Sequence, residues 1–361
     1  MSNVQAPVLI MAGGTGGHIF PGLAVAAALR ARNVPVLWLG AEGGMENRIV
    51  PEHHLALKTL HVRGLRGKGL AQRIAAPWML VRALVGAWRA LREANPRSVL
   101  SMGGYVAGPG GIAAWLQRRP LLVHEQNRIA GFTNRALAKV ARKVMAGFAD
   151  AFPAKLHAEW TGNPVRADIA ALPAPEVRFA DRTGAPRLLV LGGSLGARTL
   201  NLGLPNALSC IPAERRPEVR HQCGAKHVEA TRAAYACVDV EANVEAFIGD
   251  MASAYAWADF VICRAGALTL AELAAAGLGS ILMPFPHAVD DHQTKNAEAF
   301  VAAGAAKLVQ DRDFEAPLFA GLLGRVLHDP DQRLSMANAA RALAKPAAAD
   351  VIAQRCLEVA A

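Results

Sequence analysis

A short apolar strand, a glycine-rich turn and a helix follow one another twice in this chain, and this repeat limits the possible folds. The first copy spans residues 8–21 and reads VLIMA, GGTGGH and IFP. The second begins at residue 187 with RLLVL and GGSLGA, so its turn starts about half of the 361-residue chain later. Apolar runs bounded by glycine are typical of buried parallel strands. The repeat therefore predicts an α/β fold with two Rossmann-like, doubly wound parallel-sheet domains that face each other across a cleft.

The first glycine turn also suggests a chemistry. Pro21 is predicted to lie in the first turn of a helix, where its missing N–H breaks no hydrogen bond. Backbone N–H groups at the start of such a helix can hold a phosphate. His18 ends the turn, and an imidazole can take up a proton near neutral pH. We interpret the turn as a phosphate cradle beside a base; the alternative is a tight turn with a structural histidine.

A nicotinamide-binding fold is a second interpretation of the same turn. A G-x-G-x-x-G pattern that starts at Gly14 continues with Gly16 but has Ile19 at its third small position. A closer match at residues 108–113 is predicted to lie within another loop and does not directly follow a strand. Neither segment is typical of a dinucleotide fingerprint.

The charge balance favours anionic partners. The net charge is +10 and the sequence pI is about 9.8. Only 6% of the residues are aromatic, and we find neither zinc-finger spacing nor an aromatic RNA-binding motif, so nucleic acid is not expected as a partner. An acidic lipid surface or a phosphorylated substrate is the preferred interpretation.

Cysteine usage and hydropathy restrict the compartment. The five cysteines form no CxxC pair, which argues against a disulfide framework and a zinc site and fits a reducing cytoplasm. No stretch reaches the 18 or so uncharged apolar residues of a spanning helix. The chain is therefore expected to be soluble or peripheral to a membrane.

A helix predicted over residues 77–93 carries a mixed aromatic and basic stripe. Its core face is predicted to contain Leu80, Leu84, Ala87 and Leu91. The opposite face is predicted to contain Trp78, Arg82, Val85, Trp88 and Arg89. Tryptophan beside arginine is typical of a helix that lies in a membrane interface. The alternative is that the tryptophans pack under a neighbouring loop while the arginines extend past them to water.

Seven motifs occur in the order found in the MurG family of bacterial UDP-N-acetylglucosamine transferases, which the chain resembles from about residue 8 to residue 310. They are GGTGGH at 13–18, GGYVAGPGG at 103–111, HEQN at 124–127, GNPVR at 162–166, GGSLGA at 192–197, RAGALTLAE at 264–272 and PFPHAVDDHQ at 284–293. One departure is Arg128, where the family usually has a small residue; it adds a cation beside the implied sugar pocket.

The resemblance implies a GT-B glycosyltransferase fold with two substrate-binding domains. An N-terminal domain over residues 1–164 would bind the acceptor and the membrane, with residues 341–361 packing back onto it. Residues 165–340 would form the domain that binds UDP-N-acetylglucosamine (UDP-GlcNAc). The donor-site positions carried over by motif are Thr15, Gly16, Gly17, Asn127, Arg166, Ser194, Ile248, Ala267, Leu268, Thr269, Leu270, Ala271, Glu272 and Gln293, and Tyr105 is assigned with the helix stripe to the acceptor and membrane.

The chemistry of these positions agrees with the resemblance. Ser194 and the N–H groups of its turn suit a diphosphate, and Arg166 adds a fixed positive charge. Glu272, placed at the start of a helix, can accept hydrogen bonds from both ribose hydroxyls, and backbone groups of Ile248 can meet the uracil edge.

The implied reaction is a single inverting displacement. It would move N-acetylglucosamine (GlcNAc) from UDP-GlcNAc to the C4 hydroxyl of a lipid-linked N-acetylmuramoyl-pentapeptide, with formation of a β-1,4 bond at the cytoplasmic face of the inner membrane. No Asp-x-Asp metal motif is seen in the sequence, so neither a metal ion nor a cofactor is expected. His18 is the predicted base and Glu125 its rival.

Two other functions remain open at this point. One is a related enzyme that epimerises UDP-GlcNAc without an acceptor, and the other is a protein that binds UDP-sugar without catalysis.

Overall fold

The structure, a computed structural model, describes residues 5–62, 70–193, 196–286, 288 and 291–359, with backbone alone over 70–77. The described chain divides into two compact units. The first contains residues up to Arg166 together with those from Lys345 onward, and the second contains Ala167–Ala344.

The first unit is a seven-stranded parallel sheet covered by helices. Its strands are β1 Val8–Ala12, β2 Val36–Ala41, β3 Ala56–Leu60, β4 Ser98–Gly103, β5 Leu121–Glu125, β6 Lys143–Ala146 and β7 Glu159–Trp160, in the order β3-β2-β1-β4-β5-β6-β7. With numbering along the whole chain, its helices are α1 Gly16–Arg30, α2 Glu46–Glu52, α3 Leu70–Ala94, α4 Ala107–Leu116, α5 Phe132–Leu137 and α15 Ala348–Glu358.

The second unit repeats this plan with six parallel strands. They are β8 Arg187–Leu191, β9 Glu218–Gln222, β10 Asn243–Glu245, β11 Phe260–Cys263, β12 Ser280–Leu282 and β13 Ala306–Leu308, in the order β10-β9-β8-β11-β12-β13. Its helices are α6 Ala167–Ala170, α7 Pro175–Phe179, α8 Leu204–Ser209, α9 Val228–Ala236, α10 Met251–Trp257, α11 Ala267–Ala276, α12 His292–Ala302, α13 Ala316–Leu327 and α14 Pro330–Ala342. The prediction of two Rossmann-like parallel sheets is confirmed.

The strand order explains why the glycine turns matter. All five residues of β1 are buried, because helices cover both faces of its sheet. β1 pairs with β2 on one side and with β4 on the other, so the direction of chain winding reverses between β1 and β4. Open α/β sheets bind their ligands beyond the carboxyl ends of the strands at such a reversal. The turns after β1 and β4 therefore occupy the expected ligand edge of the first unit, and those after β8 and β11 occupy the corresponding edge of the second.

The last helix, α15, belongs to the core of the first unit. Ile352, Ala353 and Cys356 are buried in the same cluster as β1 and α1. The Ser98 hydroxyl at the start of β4 donates to the Cys356 carbonyl at 2.7 Å.

Helix α3 starts earlier than predicted, at Leu70. Its buried face contains Ala83, Ala87 and Leu91, but Leu80 is 51% exposed. The assignment of Leu80 to the core stripe is therefore wrong. No helix among the described residues is long and apolar enough to span a membrane.

Candidate active site

His18 lies in the first turn of α1 and is held from two sides. Its Nδ1 is 2.9 Å from Oε1 of Gln126, which follows β5. Its ring lies against the backbone of Gly103 at the end of β4, where an added Cβ would be 2.9 Å from Cε1 of the imidazole. Gly103 has φ +107, so this close approach depends on glycine.

Gln126 is in turn fixed by a buried histidine of the preceding strand, β5. Its Nε2 lies 3.1 Å from Nδ1 of His124 and donates to the His124 carbonyl at 3.2 Å. The His124 Nε2 is 2.9 Å from the carbonyl oxygen of Gly162. His124 and Gln126 belong to the HEQN motif, but the sequence predicts no role for either. The signal that could have singled them out is a pair of hydrogen-bonding side chains at the carboxyl end of a buried strand, one just inside the strand and one directly after it.

Glu125, the rival base, is occupied by its own loop. Its carboxylate is 2% exposed and accepts hydrogen bonds at both oxygens. Oε1 accepts from the backbone and side-chain nitrogens of Asn127, and Oε2 accepts from Gly131 N and Asn134 Nδ2, at 2.9–3.2 Å. This arrangement suits a carboxylate that shapes the loop after β5.

The first glycine turn differs from the predicted phosphate cradle. The buried carboxylate of Glu46 accepts the Gly14 N–H at 3.2 Å and the Ala41 N–H at 2.7 Å. A Cβ at Gly13 or at Gly44 would collide with this carboxylate. The Gly14 amide is thus already bonded, and a negative charge at this point opposes a phosphate there. Glu46 was missed from the sequence, although an acid flanked by glycines at 40, 43 and 44 is a usable signal.

The start of α1 contains the other predicted residues of this turn. Thr15 precedes the helix in extended conformation, and Gly16 and Gly17 are its first residues. The His18 N–H donates to the Thr15 carbonyl at 3.1 Å. The amides of Gly16 and Gly17, at the very start of the helix, remain suited to an oxygen-rich ligand. Tyr105, in the loop after β4, is 59% exposed.

Arg128, the departure from the family pattern, lies in the loop after β5 and forms an ion pair with a carboxylate in the loop after β6. Its Nε and Nη2 each lie 2.8 Å from Oδ2 of Asp150. The predicted additional cation beside the sugar pocket is therefore balanced by a carboxylate.

In the second unit, the turn after β8 adopts backbone conformations that favour glycine. Gly193 has φ +78 and Gly196 has φ +76. A Cβ at Gly196 would collide with the His227 side chain, which lies in the loop after β9. Ser194, the predicted diphosphate ligand, lies outside the described residues.

Glu272 is the sixth residue of α11, one and a half turns from its start. Its placement at the start of the helix is therefore wrong, and the first turn contains Ala267–Leu270 instead. The Glu272 side chain is 8% exposed and accepts a hydrogen bond from the Tyr255 hydroxyl at 3.0 Å. Tyr255 orients this carboxylate and was missed from the sequence.

The remaining predicted donor residues of the second unit lie in the loops and helices that follow its strands. Ile248 is buried in the loop after β10, and Ala271 adjoins Glu272 on α11. Gln293, the second residue of α12, accepts the Phe285 N–H at 2.9 Å and so fixes the loop after β12. Arg166 is the last residue of the first unit and is half-buried.

Arg264, which opens the motif at α11, is paired within the second unit. Its Nη2 lies 3.2 Å from Oδ2 of Asp311, and its Nη1 donates to the carbonyls of Met283 and Pro284. This guanidinium therefore braces the loop after β12. No group of three histidine, cysteine, aspartate or glutamate side chains that could hold a metal ion occurs among the described residues.

The predicted aromatic and basic stripe on α3 is exposed. Trp78 is 73% exposed and Trp88 37% exposed, and Arg82 and Arg89 are also exposed. Trp115 and Leu116, at the end of the neighbouring helix α4, extend the apolar surface. The Gln117 side chain joins the two helices by donating to the Trp88 carbonyl at 2.8 Å. We call these exposed residues of α3 and α4 the α3–α4 face.

Two family models match the chain, one for each unit. The N-terminal domain of glycosyltransferase family 28 matches residues 8–146, and the C-terminal domain of the same family matches residues 187–354.

Several relatives are similar over almost the whole chain. The UDP-N-acetylglucosamine--N-acetylmuramyl-(pentapeptide) pyrophosphoryl-undecaprenol N-acetylglucosamine transferase of Xylella fastidiosa (strain M12) is 57% identical over 353 residues, which cover 98% of this chain and 96% of the relative. The transferase of the same name from Xanthomonas axonopodis pv. citri (strain 306) is 57% identical over 357 residues, with coverage of 99% and 83%.

Solved structures share the fold. The crystal structure of Acinetobacter baumannii MurG is 39% identical with a TM-score of 0.83, and the match covers 97% of this chain and 99% of that one. UDP-GlcNAc 2-epimerase from Neisseria meningitidis is 14% identical with a TM-score of 0.68, over 98% and 100% of the two chains. At that identity the epimerase shows the fold alone.

Proposed function

The chain belongs to glycosyltransferase family 28 and within it to the MurG enzymes, and from this premise we propose that it transfers GlcNAc from UDP-GlcNAc to lipid-linked N-acetylmuramoyl-pentapeptide. The observation that carries the proposal is the 57% identity to named transferases over nearly the full chain, with an imidazole at the ligand edge of the first sheet. The product would serve peptidoglycan synthesis, and through it cell shape and division.

The proposed chemical step is an in-line displacement at the sugar. The acceptor C4 hydroxyl oxygen bonds to C1 of GlcNAc, the bond from C1 to the UDP oxygen breaks, and the hydroxyl proton passes to His18. His18 is preferred to Glu125 because four N–H groups already occupy the Glu125 carboxylate. Bound UDP leaves as the diphosphate anion, which helix-start amides and a cation such as Arg166 would stabilise.

Donor binding is assigned to the second unit. The buried Glu272 carboxylate, oriented by Tyr255, would accept hydrogen bonds from ribose hydroxyls. The backbone of Ile248 would meet the uracil, and the glycine turn with Ser194 and the start of α11 would hold the diphosphate. Thr15, Gly16, Gly17 and Asn127 would complete the set from the first unit.

The α3–α4 face is proposed to bind an anionic membrane surface. Exposed tryptophans can enter the headgroup region while neighbouring arginines pair with acidic lipids. Because the acceptor is proposed to be lipid-linked, a peripheral position at the cytoplasmic face of the bacterial inner membrane follows, with Tyr105 facing the acceptor. Nucleic acid is not proposed as a partner.

Incubation with radiolabelled UDP-GlcNAc, with and without the lipid-linked acceptor, tests the activity. We expect label to enter the lipid fraction only when acceptor is present. Conversion of UDP-GlcNAc without acceptor would favour an epimerase instead, and binding without any conversion would favour a sensor; either result overturns the proposal.

A further inference from the structure

A line of hydrogen bonds connects His18 to a backbone carbonyl in the first unit. It runs from the Gly162 carbonyl to His124, from His124 to Gln126 and from Gln126 to His18, with atom pairs at 2.9, 3.1 and 2.9 Å. Each histidine nitrogen in this line can either donate or accept, and so the protons have to be assigned from one end.

The assignment starts at Gly162, because a carbonyl oxygen can only accept. His124 Nε2 must therefore carry a hydrogen. His124 is fully buried, and burial lowers its pKa from 6.5 to about 4, against smaller opposing effects of the Gly162 hydrogen bond and the nearby Glu125 charge. The ring is thus neutral at physiological pH, and its Nδ1 carries a lone pair.

The lone pair on His124 fixes the orientation of the Gln126 amide. Only the NH2 group can face that nitrogen favourably, and the same group also donates to the His124 carbonyl. The Gln126 oxygen therefore points at His18 Nδ1, which must carry a hydrogen to make the observed contact. The lone pair of a neutral His18 is then left on Nε2.

We propose that His124 and Gln126 are positioning residues that hold His18 in its Nδ1–H form and so make Nε2 the proton acceptor of the reaction. The inference rests on the proposed transferase function for its catalytic meaning. The amide oxygen also stays bonded to Nδ1–H after Nε2 has gained the acceptor proton, so the proton must later leave from Nε2. Partners on the far nitrogen of an imidazole set its tautomer and orientation in the same way in other histidine sites.

The tautomer is measured without substrate, by long-range 1H–15N correlation spectra of protein labelled with 15N-histidine. At about pH 8, where an ordinary imidazole is neutral, we expect the His18 signals to show a protonated Nδ1 and a bare Nε2. His18→Ala identifies these signals by their loss. A wild-type His18 protonated at Nε2 would overturn the proposal whether or not the protein transfers GlcNAc.

Substitutions at Gln126 separate positioning from support of the fold. Gln126→Met removes the acceptor for His18, so we expect a mixture of tautomers and a fall in kcat of about 10- to 100-fold, with KM for UDP-GlcNAc unchanged. Gln126→Glu offers only oxygen atoms to His18, so the proton should stay on Nδ1 and kcat should exceed that of Gln126→Met. Gln354→Leu, which removes an exposed glutamine of α15 that donates to Glu358, is the matched control and should leave both readouts unchanged.

A second variant covers the case in which Gln126→Met does not fold. His124→Phe keeps a ring of similar size and removes the ring nitrogen that faces the Gln126 amide, although the backbone carbonyl of residue 124 still accepts from it. The amide is then held more weakly, so the population of His18 protonated at Nε2 should rise. Retention of the pure Nδ1–H form and of wild-type kcat in both folded variants would contradict the proposal. If no variant or wild-type protein transfers GlcNAc, the proposed function fails while the tautomer spectra still test the positioning.

Discussion

His18 touches a side-chain amide and a glycine backbone, so its removal should change the chemistry more than the fold. We expect His18→Ala to lower kcat by roughly 10²–10⁴-fold, the usual contribution of a general base. UDP affinity should be nearly unchanged, because most donor-site residues belong to the second unit. Steady-state kinetics and calorimetry with UDP measure the two quantities. A variant that keeps more than about a tenth of wild-type kcat would exclude general-base catalysis by His18.

Gly103 limits the position of the His18 ring. Gly103→Ala would place a Cβ 3.0 Å from Nδ1 of His18 and would also strain a residue with φ +107. Gly43→Ala is the matched control, because Gly43 has φ +73 but open space around its Cβ position. Both variants should lose about 1–2 kcal/mol of stability from the left-handed backbone, measured by chemical unfolding. Only Gly103→Ala should lower kcat, and equal kcat values for the two variants would contradict this role of Gly103.

Glu272 is expected to hold ribose with its charge. Glu272→Gln keeps the size of the side chain but replaces one acceptor oxygen with a donor, so UDP binding should weaken by roughly 1–3 kcal/mol, the range for a hydrogen bond to a charged group. Tyr255→Phe leaves the carboxylate in place and removes only its orienting hydroxyl, so its effect should be smaller. Calorimetric titration with UDP compares the three proteins, and equal affinities would refute the ribose assignment.

The role of a single residue is predictable from the sequence where a local motif contains it. It is not predictable where the role depends on a partner far away in the chain. His18 stands out because it ends a glycine turn. Glu46 acts on Gly14, 32 positions away, and no periodic pattern joins the two. Gln126 gains its orientation from a carbonyl 36 positions further along the chain, through His124. Such roles depend on the register of neighbouring strands, which local sequence does not encode.

At the scale of elements, helix α3 is expected to tie the enzyme to anionic lipid. Replacement of Trp78 and Trp88 by serine and of Arg82 and Arg89 by glutamine should reduce binding to vesicles that contain phosphatidylglycerol. Each arginine near such a surface contributes about 1 kcal/mol, and salt should weaken that part. UDP affinity should be unchanged.

The control for this prediction removes two exposed apolar and two exposed basic side chains from the second unit. Val177 and Leu318 are replaced by serine and the exposed Arg312 and Arg325 by glutamine, which matches the change in net charge. Co-sedimentation with vesicles should distinguish the two quadruple variants. If the α3 variant pellets as well as wild type, the tryptophans serve ordinary packing and another surface contacts the membrane.

The same helix illustrates what periodicity can and cannot predict. An ideal 100° rotation per residue correctly separates Ala87 and Leu91 from Trp78 and Trp88. The same rotation fails at Leu80, because the width of the buried face of a helix depends on which neighbouring element covers it. Among the described residues, no neighbour covers α3 at Leu80 enough to bury this side chain. The helix start at Leu70 was missed for a related reason, since the basic and glycine-rich residues before Pro77 resemble a loop.

At the scale of the whole molecule, the two parallel sheets were predictable and the placement of the chain end was not. Repeated apolar strands before glycine turns determine a parallel α/β unit locally. Helix α15 joins β1 and α1 in one core although more than 300 residues separate them in sequence. Its return was suggested only by the family resemblance, because an amphipathic helix does not specify which unit it covers.

One ion-pair cluster fixes α15 to the edge of the first sheet, and it should make this attachment sensitive to acid. Arg355 on α15 donates to both carboxylate oxygens of Glu159 on β7 at 2.8–2.9 Å, and Lys143 on β6 lies 2.8 Å away. The hydrogen bonds from Arg355, followed by those from Lys143, lower the pKa of Glu159 from 4.5 to about 2, although burial opposes the shift.

Because the folded-state pKa of Glu159 is lowered, its contribution to stability is complete above about pH 4.5 and is lost as the pH falls towards about 2. About a quarter of the Glu159 side chain is exposed, so solvent screening limits the contribution to about 1 kcal/mol.

Glu159→Gln should therefore increase the rate of hydrogen exchange of the α15 amides at pH 7, relative to wild type at the same pH. The difference between the two proteins should shrink as the pH falls from about 4.5 towards about 2. Glu358→Gln is the matched control: it removes a more exposed partner of the same arginine and should have a smaller effect. A difference for Glu159→Gln that persists unchanged at the acidic end would show that packing of α15, rather than this carboxylate, holds the chain end in place.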